Sequence, residues 1–355
     1  MTRRDSLKVS FLATQALALA ETPRGPRHYK WLPKLSDNLP DCELPTLDWL
    51  RQMGCTTVIF QGTDGVDKAG KGYWTTEDVL PHKHNCQQLG MTLESMMIPI
   101  DFYKQARLGR PGRDKEIENV VKTIRAVGAA GVPMMEWRFW PDFYWDDRVG
   151  YYHPKGRGDA TYTANDHARI AHAPPFPEIG TVGEEEMWKR CLYFTRPIVE
   201  AAEKAGVRLS MHPCDPPDKD MRGVARIFAH PDGLRRLLKE VPSKANGITF
   251  CQGTITEMGV DVFAEIQYFV SRNRVNLVHF RTVRGTAPKY TEVFIDEGDI
   301  DMVQAMKVWK DAGYSGPMVS DHTPGVTGDT PGGHVGRAFS LGFMRAAVQA
   351  VNLFS

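Results

Sequence analysis

The sequence predicts an α/β protein, a single (β/α)8 TIM barrel with a long insertion after the fourth strand. Three observations carry that prediction. Helix-like stretches ending in glycine are followed almost at once by short apolar runs. The alternation repeats eight times with no second composition regime. No glycine-rich phosphate loop follows the first strand, as one often does in an open doubly wound sheet. The 355 residues suit one barrel with insertions.

Residues 1–20 precede the repeat. Arg3-Arg4 and Lys8 lead into the mildly apolar stretch Val9 to Ala20, which ends Ala18-Leu19-Ala20. A charged start, a short apolar run and a small-residue site read as an export signal of the twin-arginine type. A short amphipathic helix against the barrel is the alternative, with a cytoplasmic protein as its consequence. Residues 21–355 then form the barrel domain.

The expected strands are His28–Leu32, Thr56–Phe60, Met91–Met96, Val132–Phe139, Val207–His212, Gly247–Cys251, Val275–Phe280 and Gly316–Asp321. Gly54, Gly90, Gly131, Gly206 and Gly313 close the helices before five of them. Helices are expected over Asp114–Ala130, Glu184–Ala205, Asp232–Val241, Val262–Asn273, Ile300–Ala312 and Arg337–Val351. The segment 140–182 breaks the repeat. It is long, aromatic and proline-rich, and reads as a lid or as a contact surface of a homo-oligomer.

Composition narrows the function. With 44 basic against 43 acidic side chains, no basic surplus points to a nucleic-acid partner. No apolar run approaches the roughly 20 residues of a membrane span. The six cysteines, Cys42, Cys55, Cys86, Cys191, Cys214 and Cys251, are scattered. In a chain this long they read as free thiols, with one recruited as a ligand.

That one is Cys251. His212, Cys251, His279 and Asp321 fall at or near the C-terminal ends of four successive strands, the end where barrel active sites form. Each alone has a bland explanation, such as a loop hydrogen bond, a small buried hydrophobe or a turn cap. One shared metal ion accounts for all four. Two imidazoles, a thiolate and a carboxylate suit Zn2+, Fe2+, Co2+ or Mn2+, with ligand type alone leaning to zinc or iron. Arg281 lies two residues beyond His279 and so shares its strand face, where it would clamp a substrate carboxylate. His322 adjoins Asp321 at the rim, the place for an acid/base group. Glu94 and Arg138 would face either the mouth, as substrate-binding groups, or the packed interior, as an ion pair.

At these motifs the sequence resembles the mannonate dehydratase family of xylose-isomerase-like barrels. The resemblance rests on Met211-His-Pro-Cys-Asp-Pro-Pro217, Thr249-Phe-Cys-Gln-Gly-Thr254, Val278-His-Phe-Arg281 and Ser320-Asp-His322, and covers roughly residues 28 to 353. It implies His212, Cys251, His279 and Asp321 as ligands of Mn2+ or Fe2+, and His322 as a catalytic acid/base. The implied reaction is loss of water from D-mannonate to give 2-keto-3-deoxy-D-gluconate. Cys214 stands where the family has Asp, and Val319-Ser320 and Thr323 replace its arginine-proline and glycine. Gly333 and His334 fall near the place of a family tyrosine, which puts His334 on the substrate side. The leading expectation is a metal-dependent sugar-acid dehydratase. A metal-dependent sugar isomerase or epimerase is the alternative within the enzymes, and an exported, non-catalytic sugar-acid or metal-binding protein lies outside them.

Overall fold

The computed structural model describes residues 29–62, 66–67, 69–141 and 145–353. Residues 1–20, read above as an export signal, lie outside the described residues, as do residues 142–144 of the insertion. The barrel strands are β1 (two pieces, Lys34–Ser36 and Asn38–Leu39), β2 (Thr57–Phe60), β3 (Thr92–Met97), β4 (Met134–Trp137), β5 (Arg208–Met211), β6 (Asn246–Cys251), β7 (Val275–His279) and β8 (Pro317–Val319). All neighbouring pairs are parallel, in chain order. The first piece of β1 pairs with β8 and the second with β2, which closes the barrel.

The outer helices are α1 (Leu44–Gln52), α2 (Thr76–Gln88), α3 (Arg113–Ala129), α4 (Glu184–Ala205), α5 (Pro231–Glu240), α6 (Val262–Ser271), α7 (Met302–Asp311) and α8 (His334–Leu353). Their starts carry local signals. Thr75 and Asp78 form a capping box on α2, while Asp261 and Asp301 cap α6 and α7, each satisfying backbone N–H groups that lack helical partners. Gly206 ends α4 at φ 67°, a left-handed turn that costs glycine little.

Strand alternation builds the interior in layers. Ile59, Met134, Leu277 and Val319 form a small apolar cluster of their own inside the barrel. Two residues further along each of these strands, on the same face, come Gln61, Glu136, His279 and Asp321. The apolar layer is thus the floor on which the polar layer stands.

The first strand corrects the expectation of His28–Leu32. Trp31 instead packs outside the ladder, its indole N–H donating to the Tyr314 carbonyl at 2.7 Å. The actual β1 holds Ser36, Asp37 and Asn38, all buried. Polar residues on a barrel strand imitate a loop in sequence, whereas Tyr29 to Leu32 imitates a strand.

The insertion is not an independent lid. Its strands Tyr151–Tyr152 and Thr163–Asp166 join the hairpin Val283–Thr286 and Lys289–Glu292, which follows β7, in one four-stranded antiparallel sheet. The hairpin was not among the expected strands; its signal is Ala287-Pro288 as a turn between runs that hold the β-branched Val283, Thr286 and Thr291. Among the described residues, no helix is long and apolar enough to cross a membrane.

Candidate active site

His212, Cys251 and His279 meet at the C-terminal mouth of the barrel, their ligand atoms all within 4.8 Å of one another. The histidine rings stand 5.1 Å apart. Asp321 joins them, with Oδ1 3.3 Å from His279 Nδ1 and Oδ2 3.8 Å from Cys251 Sγ. Its backbone is left-handed, φ 59°, an uncommon conformation for a residue with a Cβ and one found at built sites.

The charge states follow from the neighbours. Burial would raise the Cys251 thiol, but Arg281 and the rings of His212 and His279 bring it down to about 5. Burial likewise opposes ionised Asp321, yet His279, His322 and Arg281 hold it well below the usual carboxylate range. Burial would depress His279, but Asp321, Cys251 and Glu136 push it well above its ordinary value. Among the described residues, neither ring nitrogen of fully buried His279 has a hydrogen-bond partner. Such groups are costly to desolvate without a partner. A thiolate, a carboxylate and two imidazoles around orphaned nitrogens fit a divalent cation.

Arg281 does not face the mouth as a substrate clamp. It is buried, and its guanidinium donates to Asp321 Oδ2 at 2.9 Å, Glu257 Oε1 at 2.8 Å and Asp215 Oδ2 at 2.6 Å, with Glu292 at 3.6 Å. The correction has a simple cause. The face shared with His279 is lined by carboxylates from other loops, which two-residue alternation cannot reveal. Asn38 supports Asp321 from the opposite side, its Nδ2 donating to Oδ1 at 3.1 Å.

His322 is about one-third exposed, and its Nδ1 lies 2.7 Å from Glu292 Oε1 in the roof hairpin. Burial would lower its pKa, but Asp321 and Glu292 raise it to about 9. Trp145 stands edge-on to its ring at 5.9 Å. Arg138 reaches the same mouth, donating to Glu136 Oε1 at 3.2 Å and lying over Trp145 at 5.9 Å.

Of the other two expected substrate groups, Glu94 lies elsewhere. Glu94 accepts from Lys34 Nζ at 2.9 Å and sits 3.6 Å from Arg208, in a polar pocket with Gly316 and Pro317. Lys34, Arg208 and Pro317 are the first residues of β1, β5 and β8, so Glu94 belongs to the barrel's opposite end. The ion-pair alternative is the one realised. His334 stacks on Trp49 of α1, with ring centroids 4.4 Å apart, and aromatic packing is the contact found for it.

Sequence reasoning missed Glu136, whose Oε2 lies 3.4 Å from His279 Nε2 and accepts from Gln61 at 3.3 Å. Burial opposes its charge, but His279 and Arg138 lower it to about 2. Its position two residues before Arg138 was the available signal. Tyr151 and Tyr290 were also missed. From the insertion and the hairpin, they donate to Asp215 Oδ1 at 2.8 and 3.0 Å.

A sequence profile described as D-mannonate dehydratase (UxuA) matches residues 41–175 and 174–354. A mannonate dehydratase of Streptococcus pneumoniae (strain 70585) is 31% identical over 288 residues, 73% of this chain and 78% of that protein. The crystal structure of mannonate dehydratase from Streptococcus suis serotype 2 superposes with a TM-score of 0.80 at 28% identity, covering 90% of this chain and 95% of that one. A xylose isomerase domain protein from Planctomyces limnophilus shares the fold, with a TM-score of 0.59 at 13% identity over 91% of this chain and 98% of that one.

Proposed function

This chain belongs to the D-mannonate dehydratase family, and from that premise we propose that it is a hydro-lyase that removes water from D-mannonate. The observation that carries the reading is the His322–Glu292 pair beside the four-donor cluster. A ligand set alone does not fix a reaction on a barrel, but an adjacent proton donor on a half-open rim is what elimination of a hydroxyl requires.

His212, Cys251, His279 and Asp321 would hold the metal, with Mn2+ or Fe2+ as the ion. Bound there, it would act as a Lewis acid toward the oxygens of the substrate and ease loss of the C2 proton, which passes to solvent at the half-open rim. His322 is held protonated at neutral pH by Asp321 and Glu292. Its Nδ1 is committed to Glu292, which leaves the Nε2 proton for the departing 3-hydroxyl. Glu292, accepting from Nδ1, favours the protonated ring and so restores it after the transfer. Arg138 takes the part first given to Arg281, pairing with the carboxylate or hydroxyls of the sugar acid at the mouth. Glu136 orients it from below and, at Oε2, faces His279.

The test is a panel of aldonates and uronates, D-mannonate included, incubated with metal-loaded protein and assayed for 2-keto-3-deoxy products. Product from D-mannonate supports the reading. Isomerised or epimerised sugars without any keto-deoxy acid would transfer the chain to the isomerase alternative.

A further inference from the structure

We propose that Thr254 is a positioning residue of the metal centre, its hydroxyl donating to the Cys251 sulfur and restraining the charge that this thiolate passes to a bound metal. The inference rests on Cys251 being a ligand, as argued above.

Thr254 is completely buried in the short helix Gln252–Glu257, which starts directly after Cys251. Its Oγ1 lies 3.0 Å from Cys251 Sγ, 3.3 Å from Asp215 Oδ2 and 3.1 Å from Arg281 Nη2. Three neighbours share one proton, so its direction has to be assigned. Arg281 can only donate, which makes the threonine oxygen its acceptor and leaves two candidates for the hydroxyl proton.

Asp215 has little need of it. The same Oδ2 already receives Arg281 Nη2 at 2.6 Å, and Oδ1 receives Tyr151 and Tyr290. The sulfur is the poorer-served acceptor. Cys251 precedes a helix, yet its side chain takes no capping hydrogen bond from that helix's N–H groups. If His212 and His279 turn nitrogen lone pairs toward a metal, their rings no longer serve the sulfur. Thr254 is then the side-chain donor that remains among the described residues. The proton therefore goes to Cys251. Accepting from a guanidinium polarises the hydroxyl and strengthens the bond it donates.

Arg281 thereby acts on two ligands at once, on Asp321 directly and on Cys251 through Thr254. Hydrogen bonds to a ligating sulfur lower its electron donation and tune the metal. A less donating thiolate leaves the ion a stronger Lewis acid, which the proposed elimination uses.

The experiment loads the full-length protein with Co2+ and records the near-ultraviolet spectrum. Wild type should show a sulfur-to-cobalt charge-transfer band. Thr254→Val keeps the shape and removes the donor, so the sulfur lone pair rises and the band should move to longer wavelength. Thr254→Ser should restore the position. Turnover should fall roughly 10- to 100-fold in the valine variant, with KM little changed and serine rescuing it. If the valine variant does not fold, Thr254→Ala removes the same donor and carries the same expectation. A band unmoved in the donor-less variants overturns the inference while leaving Cys251 a ligand. No band in wild type removes Cys251 from the ligand set, and the inference with it.

Discussion

Replacing Arg281 with methionine should damage the fold before it touches substrate affinity. The guanidinium sits among Asp215, Glu257, Glu292 and Asp321, three of them within 2.9 Å. Removing one partner of a buried ion pair costs about 3–5 kcal/mol, because the other charge stays buried and uncompensated. Against a total stability of about 5–15 kcal/mol, that is roughly a fifth of the fold or more. The assay is urea unfolding of metal-free protein followed by circular dichroism, since a bound cation would replace part of the lost charge.

The deficit should also depend on pH. In the wild type, burial opposes ionised Asp215, but Arg281 leads the neighbours that hold its carboxyl below the usual range. A carboxylate depressed on folding contributes stability above its unfolded value, roughly pH 4, and loses it as pH falls. Without Arg281 the buried carboxyls shift upward instead. Folding then takes up protons, and stability falls as pH rises through the carboxylate range. The gap between variant and wild type should therefore widen from about pH 4 toward pH 7. A variant with wild-type urea midpoints at both ends of that range, and a raised KM instead, would show that Arg281 reaches the substrate after all.

Three further outcomes follow from the site. Cys251→Ala and His279→Ala should each abolish stoichiometric metal binding in elemental analysis while circular dichroism stays that of a barrel; full metal retention in both would remove the four-ligand centre. His322→Asn should keep its metal and lower kcat by roughly 10²–10⁴-fold, the usual range for one acid/base group, and unchanged turnover would place proton transfer elsewhere. Arg138→Ala should raise KM for the sugar acid, whereas Glu94→Gln at the far end of the barrel should leave kcat/KM alone; the reverse pattern in steady-state kinetics would restore Glu94 as a substrate group.

The barrel and the four-donor cluster were legible because each obeys a one-dimensional rule. Parallel strands buried on both faces read as apolar runs, and their C-terminal ends converge whatever lies between them in sequence. His212, Cys251, His279 and Asp321 could therefore be brought together without a contact map. The surrounding residues obey no such rule. Glu292, Tyr151 and Tyr290 arrive from a roof sheet that joins two excursions over a hundred residues apart, and Asn38 lies on a strand whose polarity hid it. Arg281 shows the limit most clearly. Alternation gave its face, but its role depends on four carboxylates from separate segments.

The charge balance of the site suits a bound cation. Burial first and then Asp215 push the Glu257 carboxyl well above its ordinary value. The other acidic groups are Glu136, Asp215, Glu292, Asp321 and the Cys251 thiol. Facing them are Arg138, Arg281 and protonated His322. The shortfall of positive charge falls among mostly buried side chains, where uncompensated charge is expensive. In the metal-free protein the upward push on His279 recovers part of it by holding a proton on a ring between Asp321 and Glu136. A proton supplies one charge and occupies one nitrogen. A divalent ion supplies two charges and at the same time would give the two imidazoles, the thiolate and Asp321 a common partner.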